Sequence, residues 1–129
     1  MIGPEELTSE LQAYADEIGA AVTWQALETG RLIWLTRDDL PNLGFVSIEG
    51  LDEVQILCAD FTFDGVPAAR ARGFAEQIVQ RAGRISRHGR ILKQVVLTVS
   101  VEGSTYEASR RGTDLDDWER EIAEPAAMG

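Results

Sequence analysis

Cys58 and His88 are the residues of this sequence best suited to nucleophilic chemistry, and each is the single residue of its type. A cysteine beside a histidine base can attack an electrophilic substrate. Cys58, however, lies within the apolar run QILCADF, where a thiol normally packs as a small hydrophobic group. His88 follows a stretch with helical periodicity, where a cation would oppose the negative end of the helix dipole. We expect neither residue to be catalytic.

Asp60 and Asp64 flank the end of a predicted strand and could supply two carboxylates for acid–base work or for a metal. Asp64 precedes Gly65, and this pair is more simply a turn. Phosphate-binding loops of the form GxGxxG or GxxxxGK[ST] are absent from the sequence. One histidine and one cysteine cannot build a structural zinc site. We therefore expect no metal, no cofactor and no catalytic residue, and keep a small enzyme using Asp60, Asp64 or His88 as an alternative.

Four arginines form the clearest basic cluster. Arg81, Arg84 and Arg87 recur every third residue, which places them along one side of a predicted helix, and Arg90 follows beyond its end. Such a ridge can bind carboxylates. They could belong to a partner or to the chain itself, for example to a helix predicted over residues 114–124. The sequence leaves both open.

The ridge belongs to a wider band of positive charge. Seven of the twelve basic residues lie between Arg70 and Lys93, with Glu76 as the one acid, whereas the rest of the chain holds five bases and twenty-one acids. A net charge of −10 repels nucleic acid. Phe74 is the single aromatic residue in the band, whereas proteins that bind single-stranded nucleic acid usually interleave aromatic and basic residues. We expect a protein or peptide partner and no nucleic acid.

Trp24 and Trp34 lie on the two strands of one predicted hairpin, around the turn formed by Glu28, Thr29 and Gly30. Packing in the core is the ordinary role of such residues. An exposed aromatic face of the sheet is the alternative, and it would be a surface for binding a peptide. Both tryptophans are therefore candidate binding residues.

Hydrophobic periodicity predicts the order α-β-β-β-β-α-β-β-α in one domain over residues 1–129, with residues 124–129 frayed. We expect an α+β fold, a single-layer antiparallel sheet of about six strands with helices packed on it. The chain begins with a predicted helix over residues 4–18, ended by Gly19, and continues with two hairpins that turn at residues 28–30 and 50–52. A second helix is predicted from Pro67 to about Arg87. A third hairpin turns at Glu102 and Gly103, and a last helix is capped at Thr113.

Cellular location is suggested by what the sequence lacks. Cys58 has no second cysteine to pair with, and the beginning MIGPEELTSEL is acidic where a secretory signal would be basic and then apolar. Apolar runs fall well short of the roughly 20 residues that span a bilayer. We expect a cytoplasmic protein with no membrane partner.

The predicted order of elements from Pro4 to Ala123, with small size and strong acidity, resembles the type III secretion chaperone fold and the related YbjN-like peptide-binding chaperones. A fourth strand before the central helix and the basic band depart from the simplest form of that pattern. The resemblance implies a homodimer that holds an extended segment of another protein and has no catalytic residues. No site residue is carried over from these families.

These observations lead to a non-enzymatic chaperone or adaptor that binds a peptide or protein. An immunity or antitoxin protein that blocks a basic toxin surface is the first alternative, since acidic single domains suit that task. The small enzyme described above is the second.

Overall fold

Helix α1 spans Pro4–Ile18, as the sequence predicts. Pro4 is tolerated there because the N–H groups of the first helical turn have no acceptor within the helix, so the missing N–H of proline costs no hydrogen bond. The helix ends at Gly19, which adopts the left-handed conformation at φ 69°. The apolar stripe of α1 is buried in the core. The first helix therefore follows from local sequence signals.

The computed structural model of the chain describes residues 2–89, 91, 93–112 and 114–123. Within them the fold is antiparallel α+β, with two sheets. The strands are β1 (Ala21–Leu27), β2 (Gly30–Thr36), β3 (Leu43–Ile48), β4 (Glu53–Cys58), β5 (Phe61–Pro67), β6 (Arg84–His88), β7 (Gln94–Val101) and β8 (Ser104–Arg111). The remaining helical elements are a 3₁₀ turn (Ala68–Arg70), α2 (Ala71–Val79) and α3 (Asp117–Glu121).

The first sheet holds five strands in chain order, from β1 at one edge to β5 at the other. Its inner face carries the core, because Ile33, Phe45, Ile56 and Phe63 lie opposite one another on successive strands and are all buried. Helix α1 covers this inner face at the β1 side, through contacts with β1, β2 and β3. The two hairpins predicted for residues 21–61 are confirmed, but the fourth strand ends at Cys58 and not at Phe61.

The prediction of a helix starting at Pro67 directly after the fourth strand missed a strand. The chain turns at Ala59 and Asp60 and returns as β5, in which Phe61 and Phe63 alternate into the core. Ala59 adopts a positive φ of 50°, which the tight turn requires. The sequence predicts a turn at Asp64 and Gly65, but β5 continues through them beside an irregularity in its pairing with β4.

The prediction of a helix running to Arg87 is also wrong. Helix α2 ends at Val79, Arg81 takes a positive φ of 55°, and β6 follows. Ile85 fits both a helical stripe after Ile78 and the buried face of a strand, so periodicity alone misassigned it. Strand β6 pairs with β7, and β7 pairs with β8. The sheet of about six strands is therefore corrected to sheets of five and three strands.

Aromatic contacts join the two sheets through α2. The ring of Phe74 lies 4.8 Å from Phe63 on β5 and 6.5 Å from Tyr106 on β8, measured between ring centroids. Helix α3 is fastened by Trp118, which packs edge-on against Phe61 at 6.1 Å. Both sheets and all three helices thus contribute to a single hydrophobic core.

The last helix begins later than predicted. The backbone N–H of Asp116 donates to the Glu119 carboxylate at 2.8 Å, and α3 starts at Asp117. Thr113, the predicted cap, lies outside the described residues, as do residues 124–129, for which fraying was predicted. None of the helices that the structure describes has the length and apolar character needed to cross a membrane.

Candidate functional site

Strand β1 is an edge of the five-stranded sheet and lacks the usual protection of edges. Its sequence AVTWQAL contains no charged residue and no proline, and five of its seven residues are exposed. Proteins normally blunt such edges with charges, prolines or covering segments, because unpaired backbone groups recruit other strands. Strand β6, by contrast, carries Arg84 and Arg87, and a β-bridge joins Ile85 to Ala123. The open edge of β1 is therefore the candidate site.

The pairing of β1 with β2 shows which backbone groups face outward. Leu27 and Gly30 close a two-residue turn, and such a closing pair exchanges both hydrogen bonds. The bonds recur at every second residue, so alternate residues of β1 point away from β2. The carbonyl of Thr29 accepts the Glu49 N–H at 2.8 Å, which fixes the same alternation on β2. Val22, Trp24 and Ala26 thus present their N–H and C=O groups at the open edge.

Trp24 is the most prominent side chain of this edge, with 48% of its surface exposed. The Arg31 guanidinium lies 3.6 Å from the centroid of its ring. Arg31 is held in turn by Thr8, whose hydroxyl accepts from Nη1 at 3.2 Å, and by Glu5 at 3.7 Å. The Arg31 guanidinium therefore covers one face of the Trp24 ring and holds it in place, while the rest of the ring is exposed to solvent. Aromatic residues held in this way are common anchors at interfaces.

The alternative of one exposed aromatic face formed by Trp24 and Trp34 together is corrected, because the two rings lie on opposite faces of the sheet. The turn holds Glu28 and Thr29 alone, which pairs Trp24 with Ile33 and Trp34 with Thr23. A shift of one residue moves every side chain to the opposite face. Trp24 consequently lies on the inner face beside α1, and Trp34 on the outer face.

The outer face of the five-stranded sheet carries an apolar strip around Trp34. The Trp34 ring lies over Gly44, where a Cβ atom would come within 2.7 Å of it. Leu32, Val46 and Leu57 on the same face are half-buried, and no helix of the described residues packs on them. This strip begins next to β1 and adds an apolar surface behind the open edge.

Acidic residues flank the inner side of the edge. Helix α1 has five acids and no base, and Asp16 lies in its last turn, where the helix dipole disfavours an anion. The Asp16 carboxylate accepts a hydrogen bond from Gln12 at 2.9 Å. The Asp16 side chain is exposed, so its carboxylate is accessible from solvent.

The first three residues of the basic band, Arg70, Arg72 and Arg81, bind carboxylates and hydroxyl groups of the chain itself. Arg81 pairs with Asp39 and with Glu121 of α3, one of the two targets that the sequence left open. Arg70 donates to the hydroxyl groups of Ser104 and Tyr106, both at 2.7 Å. The remaining member, Arg72, pairs with Glu17 and Glu76. These contacts fasten α2 and the loops around it.

Arg81, Arg84 and Arg87 do not form the ridge on one side of a helix that the sequence predicts. Arg81 lies after the end of α2, and Arg84 and Arg87 lie on opposite faces of β6 because strand side chains alternate. Both side chains are exposed. Arg90 lies outside the described residues. A binding role for Arg84, Arg87 and Arg90 stays a prediction.

The structure separates the residues considered for catalysis. Cys58 is fully buried, and burial raises the pKa of its thiol to about 12. His88 is exposed at the end of β6 instead of at a helix terminus, with Nε2 2.8 Å from the Ser86 hydroxyl. Asp60 lies in a turn, and Asp64 accepts a hydrogen bond from Gln55 at 2.7 Å. Across the described residues, no group of three or more such side chains is placed to hold a metal ion.

An apolar pocket between Leu40, Ile78 and Trp118 is too small for a substrate. The volume of this pocket is about 10 Å³, which is close to the space that one water molecule needs. The described residues also line wider, open clefts on the surface, one of them about 530 Å³ beside Ala21, Thr36 and Arg37 at the start of β1. Sequence reasoning identified Trp24 but missed Val22, Ala26 and Arg31. A seven-residue strand without charge was the signal that could have found the edge.

Comparison with known proteins finds a partial similarity. The chain is 37% identical over 112 residues to the signal recognition particle receptor FtsY of Chlamydia pneumoniae. The match covers 83% of this chain and 37% of that protein, so the chain spans well under half the length of the relative. No family model matches the chain, and no solved structure matches it. The similarity to secretion chaperones therefore remains a prediction.

Proposed function

We propose that this protein is a non-enzymatic chaperone or adaptor that binds an extended segment of another polypeptide along the open edge of β1. The observation that carries the proposal is the absence of charge and proline from this edge strand. An extended segment aligned beside β1 becomes a sixth strand of the sheet, a common mode of peptide recognition.

The edge offers both affinity and orientation. Hydrogen bonds to Val22, Trp24 and Ala26 each contribute about 0.5–1.5 kcal/mol net. The Trp24 ring, supported by Arg31, supplies an aromatic anchor opposite the centre of the bound strand. Because backbone groups provide most of this interaction, the site accepts different sequences, as a chaperone or adaptor requires.

The test uses substitutions at a position whose N–H points outward. Ala26→Pro removes one outward donor and leaves the bonds between β1 and β2 intact, since proline is tolerated on an edge that faces solvent. Ala26→Val keeps the donor and serves as the matched control. Each variant is screened against random heptapeptides displayed on a carrier protein, after circular dichroism has shown that it folds.

We expect the native protein and Ala26→Val to enrich the same peptides, and Ala26→Pro to enrich none of them. Equal enrichment by Ala26→Pro would contradict binding at this edge. A native protein that enriches no peptide would contradict the function itself. Val22→Pro, which removes the donor at the other end of the edge, repeats the test if Ala26→Pro does not fold.

The relative found by comparison suggests a second candidate function, binding to the signal recognition particle. That relative is a receptor for the particle by name, and the matched part covers most of this chain. Sedimentation of the protein with purified signal recognition particle tests this directly. Co-sedimentation that is lost in Ala26→Pro would place the particle at the β1 edge, and absence of co-sedimentation would eliminate this candidate.

A further inference from the structure

We infer that the segment bound along β1 carries two basic residues four positions apart on its helix-facing side, with an apolar residue midway between them. This inference deepens the proposed function and rests on it. The inner and outer sides of the β1 edge differ in charge, and an added strand places alternate residues on the two sides.

The acidic side of the site is one flank of α1. Glu5, Thr8, Gln12 and Asp16 follow one another at intervals of three and four residues, so they share this flank. Glu5 and Thr8 both contact Arg31, which lies opposite Ala26 of β1. The flank therefore runs beside the edge, with Glu5 near Ala26 and Asp16 toward the start of β1.

The spacing of the two carboxylates sets the spacing of the bases. Glu5 and Asp16 are about 16 Å apart along the helix axis at 1.5 Å per residue. Four residues of a strand cover about 14 Å. Lysine or arginine side chains at positions i and i+4 of the bound strand can reach both carboxylates, because they are long and flexible.

The middle position lies opposite Trp24 and favours an apolar residue. Arg31 already places a positive charge 3.6 Å from the centre of the Trp24 ring. A second cation at this point would be repelled by Arg31, whereas an apolar side chain can pack on the open part of the ring. The bound segment therefore follows the pattern basic, any, apolar, any, basic.

A second copy of this chain fits the edge poorly. Antiparallel pairing of two β1 strands about Trp24 would bring the two acidic flanks of α1 together, with Glu5 of each copy facing Asp16 of the other. Each chain also carries a net charge of −10. Like charges opposite each other destabilise a pair of strands, so charge selects a basic segment over self-association.

Three labelled heptapeptides test the pattern by fluorescence anisotropy at low salt. The first, Thr-Lys-Thr-Leu-Thr-Lys-Thr, has both lysines on the face that carries the leucine. The second, Thr-Lys-Thr-Leu-Lys-Thr-Thr, has the same composition and charge but places its lysines on opposite faces. The third replaces both lysines of the first with glutamate. The same peptides are titrated into Glu5→Gln, Asp16→Asn and, as a control on another part of α1, Glu6→Gln.

The second peptide keeps one lysine on the face of the leucine, so it loses one of two partly screened ion pairs. We therefore expect the first peptide to bind about two- to fivefold more tightly than the second, and the third to bind least. Glu5→Gln and Asp16→Asn should each remove part of this preference, and Glu6→Gln should leave it unchanged. Equal affinities for the first two peptides would overturn the inference.

Hydrogen exchange distinguishes that failure from a failure of the proposed function. Equal slowing of exchange at Val22, Trp24 and Ala26 by all three peptides at the same concentration keeps strand addition and overturns only the charge pattern. Unchanged exchange with every peptide overturns both. Protection of these amides that grows with protein concentration, without peptide, would assign the edge to a second copy and also overturn the inference.

Discussion

Arg31 and Trp24 form a stacked pair at the edge of the sheet, with the guanidinium 3.6 Å from the ring centroid. The two residues lie on neighbouring strands, and Thr8 and Glu5 of α1 hold the arginine in place. This pair joins the helix, the edge strand and the exposed aromatic surface. It is the part of the candidate site whose geometry is most directly testable.

Arg31→Met should leave the fold intact and loosen the Trp24 ring. The stack contributes about 0.5–1 kcal/mol at an exposed site, so the free energy of unfolding changes little. The indole N–H signal of Trp24 in nitrogen-15 NMR should shift and broaden, while the signals of Trp34 and Trp118 stay in place. Arg120→Met, a matched change at an exposed pair with Asp117, should move none of them. An unchanged Trp24 signal in Arg31→Met would contradict the stack.

Glu119 and Arg110 form the buried ion pair that fastens α3 to β8. Glu119 is 1% exposed, and both of its oxygens accept from Arg110, at 2.7 and 2.9 Å. Glu119→Leu should cost about 3–5 kcal/mol, because it leaves the charge of a nearly buried arginine without its carboxylate partner. The double variant Arg110→Met, Glu119→Leu should recover much of that loss. Urea unfolding measures both, and equal stabilities of the single and double variants would contradict the coupling.

Gly44 leaves room for the Trp34 ring on the outer face. A Cβ atom at position 44 would lie 2.7 Å from the ring, well inside normal contact distance. Gly44→Ala should therefore destabilise the protein by about 1–3 kcal/mol, a typical cost of overpacking. In a Trp34→Ala background the same substitution should be neutral or slightly stabilising. A full cost in that background would show that the ring is not the cause.

Asp39 should titrate well below an ordinary aspartate. Hydrogen bonds from Arg37, followed by smaller contributions that include Arg81, lower its pKa from 3.8 to about 2. Because the folded pKa is depressed, this contribution to stability is complete above about pH 3.8 and is lost as the pH falls toward 2. Carbon-13 NMR of the side-chain carboxyl measures the titration. Arg37→Gln should raise the midpoint toward 3.8, and a native midpoint already near 3.8 would contradict the pairing.

The sequence predicted elements whose signals are local. Helix α1 has a proline start, a glycine end and a clear apolar stripe, and the hairpins are marked by turn residues. Strands β5 and β6 were missed for a different reason. Asp64 and Gly65 are typical turn residues that this fold accommodates within a strand, and Ile85 satisfies two periodicities at once. Tertiary pairing with β4 and β7 decides both cases.

The candidate site was harder to predict because it depends on strand order. A seven-residue strand without charge is visible in the sequence, but whether it lies at an edge is set by which hairpins become neighbours. Whether Trp24 and Trp34 lie on the same face of the sheet depends on whether the turn has two or three residues. A turn of three residues would have paired them, whereas the two-residue turn places them on opposite faces. Small differences in turn length therefore decide which side chains meet.

Amide hydrogen exchange along β1, with and without the peptide Thr-Lys-Thr-Leu-Thr-Lys-Thr, tests the central claim most directly. In the free protein, the amides of Thr23, Gln25 and Leu27 should exchange slowly because they bond to β2, and those of Val22, Trp24 and Ala26 should exchange fast. The peptide should slow the second set and leave the first set unchanged. A peptide that binds while Val22, Trp24 and Ala26 keep exchanging fast would contradict strand addition at this edge.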